Sequence, residues 1–371
     1  MKVALVHEWL TNMAGSERVL VHLYALFPEA PIYTSVYAPA QMPPVFRQMD
    51  IRPSFLQRWP GAKRHWRRYL LLMPLAFESF DLSGYEVVIS NSHACAKGVL
   101  TRPETCHICY CYTPMRYVWD FYPTYLRSEE IGKAVRQVLP LVLHYLRLWD
   151  YCAAQRPDVL VAISRHVQRR IKKHYRREAR VIYPPVEVSS FWPAEPVERE
   201  DYFLVVSRFV GYKRVDLALE AFNRLRLPLR VVGYGPEERQ LRRLAGETVE
   251  FLGWQPDETV RDLYRRARAL IFPGEEDFGL TPVEAMAAGT PVIAYARGGA
   301  CETVVEGVTG LFFREQTPEA LMEAVERFSQ CEFDPSTLHR HALKFDRTVF
   351  QEAMQQLVQQ SWEAHQLTVN Q

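Results

Sequence analysis

The stretch ALIFPGEEDFGLTPVEAMAAGTPVIAY, residues 269–295, decides the fold. Ala269 to Pro273 is a short apolar run closed by Pro273-Gly274, the pattern of a buried strand. An acidic loop follows, Glu275-Glu276-Asp277, and then Phe278-Gly279-Leu280. Thr281-Pro282-Val283-Glu284 predicts a helix start, with Thr281 as cap, proline at the first helical position and a glutamate three residues after the cap. Gly289 is placed to end that helix, and Pro291 to Tyr295 predicts the next buried strand. Such a unit aims backbone N–H groups and a helix dipole at its loop, where an anion can sit.

Two glutamates flank the helix start, Glu276 and Glu284, with seven residues between them. Taken alone, Glu284 fits a capping-box partner and Glu276 a solvated loop charge. Their surroundings say more. Upstream, the strand-like run Tyr202 to Val206 ends in Ser207-Arg208-Phe209-Val210-Gly211-Tyr212-Lys213-Arg214, and downstream stands Arg297-Gly298-Gly299-Ala300. An Arg and a Lys at a strand end, a glycine pair and a helix N-terminus compose a cradle for a diphosphate.

The ordered set of Ser207-Arg208 to Lys213, the two glutamates and Gly298-Gly299 resembles the retaining glycosyltransferases of GT-B fold, the family 4 or group 1 type. The resemblance extends over nearly the whole chain. It is strongest to the bacterial mannosyltransferases that build cell-surface polysaccharides from GDP-mannose. It implies an α/β fold of two Rossmann-like doubly wound domains facing a cleft, and transfer with retention through same-face attack. The leaving phosphate then helps to deprotonate the acceptor. A nucleotide-sugar donor and a glycan or lipid-linked acceptor are the implied partners, with no cofactor and no metal.

The chemistry assigns roles within that resemblance. A carboxylate accepts both protons of a ribose diol, which suits Glu284 on a fixed helix turn. Arg208 and Lys213, with N–H groups around Leu280 and Thr281, would stabilise the departing diphosphate. Glu276 would grip donor-sugar hydroxyls. Phe278, Gly279, Gly298 and Gly299 complete the cradle, and Trp254, after Phe251-Leu252-Gly253, lies near where the resemblance puts the base. As an ordinary residue Trp254 reads as a packed loop aromatic. The chain departs from the family twice. It has Ala14-Gly15 where a glycine pair is usual, so Gly15 alone remains for backbone approach to phosphate. It also has Tyr112 where the family places a histidine close to the donor sugar. Tyr112 can donate a hydrogen bond to a sugar hydroxyl, and His93 at the neighbouring strand end shares that pocket or is a structural turn histidine. A sugar-nucleotide epimerase of the same fold and a non-catalytic nucleotide-sugar-binding protein are the alternative readings.

Length and composition agree with this frame. The 371 residues suit two domains, and 48% hydrophobic with 24% charged residues is the balance of a soluble globular chain. A net charge of +2 gives no global field for nucleic acid. Met1 to Leu10 is interrupted by His7 and Glu8 and is not a signal peptide. The longest wholly apolar run, Leu70 to Phe77, is far below a membrane span. Seven cysteines sit mostly in strand-like runs and read as reduced thiols of a cytoplasmic protein. Cys106, Cys109 and Cys111, with His93 and His107 nearby, read as small core residues on a strand rather than as a metal site.

Along the chain, Lys2 to Val6 predicts a first parallel strand and Ser16 to Phe27 a helix, with Gly15 in the turn between. Tyr85 to Ser90 and His107 to Tyr112 are strands that deliver Asn91-Ser92-His93 and Thr113-Pro114 to the sheet's carboxyl edge. Ser128 to Arg156 predicts a helix kinked or broken at Pro140. Pro184-Pro185, Pro193 and Pro196 mark a linker, which divides the chain into an acceptor-side domain, 1–190, and a sugar-nucleotide domain, 191–345. The last helix, 346–371, is expected to return to the first domain. Arg52 to Met73 holds six basic residues among aromatics and no acidic one. It reads either as a solvated helix face or as a patch for an anionic membrane surface, which would make the protein peripheral at the inner membrane face.

Overall fold

Every strand ladder among the described residues is parallel, and the ladders make two sheets. The computed structural model describes residues 1–120, 133–195 and 197–369, with only the backbone given for 133–136. The residues up to Tyr183, with those from Gln351 on, form one compact unit, and Pro184–Phe350 form the other.

In the first unit the strands are β1 (Val3–His7), β2 (Ile32–Thr34), β3 (Ile51–Pro53), β4 (Val87–Ser92), β5 (Cys106–Cys111), β6 (Val159–Ala162) and β7 (Arg180–Val181). They lie in the order β3-β2-β1-β4-β5-β6-β7. The second unit has β8 (Phe203–Val206), β9 (Leu229–Val232), β10 (Val249–Gly253), β11 (Leu270–Phe272), β12 (Val292–Tyr295) and β13 (Gly310–Phe313), in the order β10-β9-β8-β11-β12-β13. Counted from its own first strand, each sheet begins 3-2-1-4-5-6, the order of doubly wound dinucleotide folds. The strand order therefore reverses between β1 and β4, and again between β8 and β11. Ligands of such sheets bind outside the carboxyl ends of the strands at that reversal.

Sequence explains why these runs are strands. VALVH, VVISNS and CHICYC are buried along their whole length, as central strands covered on both faces must be. In the second unit helices α4 (Val215–Leu225) and α7 (Pro318–Phe328) share one core with the sheet. The Phe203 ring meets that of Phe222 edge-on at 5.1 Å and that of Phe328 at 5.9 Å. Each fully buried ring of this kind stabilises the fold by about 1.5–3 kcal/mol.

Several boundaries differ from the sequence reading. Helix α1 is Gly15–Leu26, so Gly15 is its first residue rather than a turn residue ahead of it. Helix α2, described as Lys133–Ala153, runs through Pro140 without a break. An interior proline costs about 3 kcal/mol. Burial of Leu143, Leu146 and Ala153 on one face offsets it. The predicted start of that helix, 128–132, lies outside the described residues, as does Pro196. Arg52 to Met73 is not one basic helix. It passes through the end of β3, a 3-10 turn at Phe55–Arg58, a single helical turn at Ala62–His65 and a further 3-10 stretch, Trp66–Leu72. The compact units divide at Tyr183 and Phe350, not at 190 and 345. Helix α8, Arg347–Val369, carries the chain from the second unit into the first.

Candidate functional site

In the second unit the site is assembled by loops that lie backbone on backbone at the carboxyl edge of β8, β11 and β12. After β8 a 3-10 turn, Gly211–Lys213, lifts Lys213 towards the β11 loop. Gly274 makes that approach possible, since a Cβ there would lie 2.8 Å from Lys213 Cα and 2.9 Å from the Tyr212 carbonyl. Lys213 Nζ pairs with Glu276 Oε1, both side chains mostly buried. On the other side, Gly298 (φ +65°) and Gly299 rest against the same loop. A Cβ on Gly298 would stand 2.3 Å from the Glu276 carbonyl, and one on Gly299 2.2 Å from Phe278 Cα. Gly299 N–H donates to the Glu276 carbonyl at 2.8 Å. The glycine pair thus fixes the backbone of Glu276.

Helix α6 is Leu280–Ala287, and its N-cap is Gly279 in the left-handed region (φ +86°). Thr281 is therefore not the cap and no capping box forms. Pro282 is the third helical residue, still in the first turn, where its missing N–H is an orphan in any case. With glycine at the cap, no cap side chain accepts from the first N–H groups of the helix. Glu284, freed from capping, accepts a hydrogen bond on Oε2 from the hydroxyl of the fully buried Tyr264 at 3.0 Å, on helix α5 (Asp257–Arg266). Arg208 is exposed, and its side chain makes no hydrogen bond or ion pair with the described residues. The Phe278 ring is buried against Phe345, so only its backbone faces the loop. Trp254, at the end of β10, is 67% exposed, which corrects the reading of a packed aromatic.

The first unit carries a second polar cluster at its own reversal. His7 ends β1 fully buried, with Nε2 donating to Glu17 Oε1 at 3.1 Å. Asn91 Nδ2 donates to His7 Nδ1 at 3.0 Å and to the Ser16 carbonyl at 2.9 Å, an arrangement that places the imidazole proton on Nε2. Tyr112 closes the chain, its hydroxyl donating to Asn91 Oδ1 at 2.7 Å. Glu17 Oε2 in turn accepts from Ala14 N–H and Ser16 Oγ, each at 3.0 Å. Burial is the largest influence on Glu17 and opposes its ionisation, but His7, His93 and backbone hydrogen bonding together hold the carboxyl below its usual range. This network, and not a second glycine, holds the start of α1 at Ala14-Gly15.

Glu8, also fully buried, was not singled out by the sequence. Its carboxylate accepts from Ser92 Oγ (2.8 Å) and from the N–H groups of His93, Ala94, Cys95 and Ala96 (2.7 to 3.1 Å). Burial works against its charge, yet His93, Lys97 and those N–H groups keep its pKa below the usual value. Glu8 is thus the clasp of the turn that presents His93. The only signal was a pair of polar residues, His7-Glu8, closing an apolar strand.

The two candidates of this unit now separate. Burial pushes the Tyr112 pKa well up, so the phenol keeps its proton and spends it on Asn91 instead of pointing it outward. The His93 ring packs edge-on against Trp9 at 4.9 Å and makes no hydrogen bond with the described residues. Burial lowers its pKa more than Glu8 raises it, which leaves a neutral imidazole at pH 7. The metal reading also moves. Cys109 and Cys111 are buried core residues of β5. Among the described residues one group of three could ligate an ion, Cys106, Asp158 and His365, with ligand atoms within 4.8 Å of one another. It lies at the opposite end of β5 from Tyr112, apart from the cluster described above.

Two doubly wound units, each with polar groups gathered at the strand-order reversal, define the GT-B fold. Residues 189–344, nearly coextensive with the second unit, match the family model of glycosyl transferases group 1. An uncharacterized glycosyltransferase of Methanocaldococcus jannaschii is 25% identical over 200 residues, 53% of this chain and 56% of that protein. The human alpha-1,3/1,6-mannosyltransferase ALG2 is 31% identical over 180 residues, 40% of this chain and 43% of that protein. Among solved structures, the Anabaena protein HepE in complex with UDP superposes with a TM-score of 0.69 at 16% identity, over 96% of this chain and 99% of that one. The chain spans about half or less of the length of the curated relatives it matches first.

Proposed function

We propose that the protein is a retaining, metal-independent glycosyltransferase that moves mannose from GDP-mannose to a glycan or lipid-linked acceptor in the cytoplasm. The observation that carries this reading is the Lys213–Glu276 ion pair on the loop that leads into α6, at the carboxyl edge where the strand order reverses between β8 and β11, with Arg208 on the loop that carries Lys213 and Glu284 inside α6. A nucleoside diphosphate sugar needs a carboxylate for its ribose diol, cations for its diphosphate and acceptors for its sugar hydroxyls. In this reading Glu284, steadied by Tyr264, takes the diol. Arg208 and Lys213 stabilise the charge that grows as the diphosphate leaves, with the first N–H groups of α6 beside them. Because that charge grows along the reaction, these contacts act on the transition state more than on the bound donor.

Glu276 is paired with Lys213 in the structure described. On donor binding the lysine turns to the diphosphate, which leaves the carboxylate for sugar hydroxyls. In the first unit the His93 ring makes no hydrogen bond with the described residues and lies 6.2 Å from that of Tyr112, which stands where the resemblance expects a histidine; in this reading His93 serves the sugar or acceptor from beside it. Mannose is favoured by the human mannosyltransferase relative, while the UDP bound to the Anabaena neighbour supports the nucleoside diphosphate class without fixing the base. Titration calorimetry with GDP, UDP and ADP tests the assignment. GDP binding tightest supports it. UDP or ADP binding tightest overturns GDP-mannose as donor, and no binding by any of the three overturns the nucleotide site itself.

A further inference from the structure

Helix α2 buries one face and leaves a second apolar face in the open. Leu143, Leu146, Asp150 and Ala153 are buried. Val138, Leu141, Tyr145 and Leu148 follow one another at spacings of three and four residues and therefore share the opposite face. They are 55%, 72%, 53% and 55% exposed, and a contiguous exposed apolar stripe of this kind marks an interaction surface.

Two basic regions border this stripe. On one flank Trp149 Nε1 donates to Glu78 at 2.9 Å, which ties α2 to the end of the segment that carries Lys63, Arg64, Arg67 and Arg68. Those four side chains are exposed, as are Leu71 and Leu75 beside them. On the other flank Arg147 donates to the Val118 carbonyl at 2.8 Å, and the Trp119 ring lies tilted against His174 of helix α3 (Arg165–Tyr175), centroids 4.7 Å apart. Tyr175 of that helix reaches Asp150 of α2 at 2.7 Å. Residues 165–177 hold seven Lys or Arg and no Asp or Glu, while residues 52–73 hold six and none. Arg52, Arg170 and Lys172 pair with acids outside those stretches. Arg165, Arg169, Lys173 and Arg176 stand exposed. In a chain with 45 basic and 43 acidic residues, this concentration is local.

We infer that this face of the first unit docks on an anionic lipid bilayer, with the α2 stripe entering the headgroup boundary and the two basic regions contacting phosphate on either side. An apolar stripe between cationic banks is the chemistry of an interfacial helix. No helix of the described residues is long and apolar enough to cross a membrane. The inference uses none of the residues assigned to transfer and stands independently of that reading.

Sedimentation with vesicles of phosphatidylglycerol and phosphatidylcholine, against phosphatidylcholine alone, tests it on the full chain. Each basic residue near an anionic surface contributes about fivefold in binding. Changing Lys63, Arg64, Arg67 and Arg68 to Ser, or Arg165, Arg169, Lys173 and Arg176 to Ser, therefore weakens binding more than about 100-fold. Changing Leu141, Tyr145 and Leu148 to Ser leaves binding that half-molar salt abolishes, whereas the wild type retains part of its binding there. All altered side chains are exposed, and circular dichroism verifies folding. Binding to neutral vesicles alone, no binding at low salt, or a stripe variant with unchanged salt sensitivity overturns the inference. A concentration-dependent dimer, abolished by the stripe variant and without vesicle binding, overturns it in favour of a second copy.

Discussion

Replacing Tyr264 by Phe and Glu284 by Gln, singly and together, probes the ribose contact through a partner that never touches ligand. Glu284 Oε2 accepts from the Tyr264 hydroxyl at 3.0 Å, and Tyr264 is fully buried, so its ring cannot be displaced by the loss of one oxygen. A hydrogen bond to a charged group contributes about 1.5–3 kcal/mol. At 1.4 kcal/mol per factor of ten, Glu284→Gln should weaken nucleoside diphosphate binding about 10- to 150-fold. Tyr264→Phe leaves the carboxylate in place but less well aimed, and a neutral-scale loss of about 1 kcal/mol predicts roughly fivefold. Since both changes act on one contact, the double variant should bind like Glu284→Gln alone, with a coupling of at least about 0.5 kcal/mol. Titration calorimetry with GDP reads all four affinities, and thermal melts confirm that the proteins are folded. Wild-type affinity in Glu284→Gln, or losses that simply add, would refute the reasoning.

Arg208→Ala should lower turnover by about 10²–10³. It should shift stability by no more than about 0.5 kcal/mol, because the side chain is exposed and unpaired with the described residues. A melt and a rate on the same sample separate the two effects, and near-normal turnover excludes Arg208 from the diphosphate cradle. Gly298→Ala forces a Cβ to within 2.3 Å of the Glu276 carbonyl at φ +65°. The left-handed backbone alone costs about 1–2 kcal/mol, so Glu276 must move and turnover should fall at least tenfold; unchanged kinetics contradict the role given to that loop. Glu8 has its pKa lowered in the fold, so its ionised form adds stability above the unfolded value of about 4.5, and that stability is lost as pH falls through the lower, folded value. Glu8→Gln should destabilise the protein at pH 7 by about 1.5–3 kcal/mol and flatten the acid limb of the melting curve below pH 4.5; an unchanged acid limb contradicts the clasp.

What the sequence made legible was punctuated. Pro273-Gly274, Gly289 and Pro291 bracket β11, α6 and β12 so closely that the strand ends fall within a residue or two of expectation. The start of α6 was missed because Thr281 to Glu284 spells a capping box locally, while the partner that claims Glu284 is Tyr264, twenty residues upstream in another helix. Glu8 was invisible for the same reason, since its acceptor role is set by N–H groups more than eighty residues later. Pro140 reads as a break when only its own helix is considered, and the core beneath α2 overrules it. Tyr112 carried a fold-level expectation of a sugar contact, but its fate depends on Asn91 at the end of the neighbouring strand. Local chemistry fixes turns and strand ends; which polar atoms meet across a sheet edge is decided by topology.

The central claim is transfer, and its most direct measurement is a product balance. Purified protein is mixed with GDP-mannose and a membrane-lipid extract, and GDP, sugar nucleotide and glycosylated lipid are quantified by mass spectrometry over time. The account predicts GDP and mannosylated lipid rising together in equal amounts, and neither rising in Glu276→Gln. GDP-mannose recovered intact from the wild type, or converted to another sugar nucleotide with no GDP released, would contradict it.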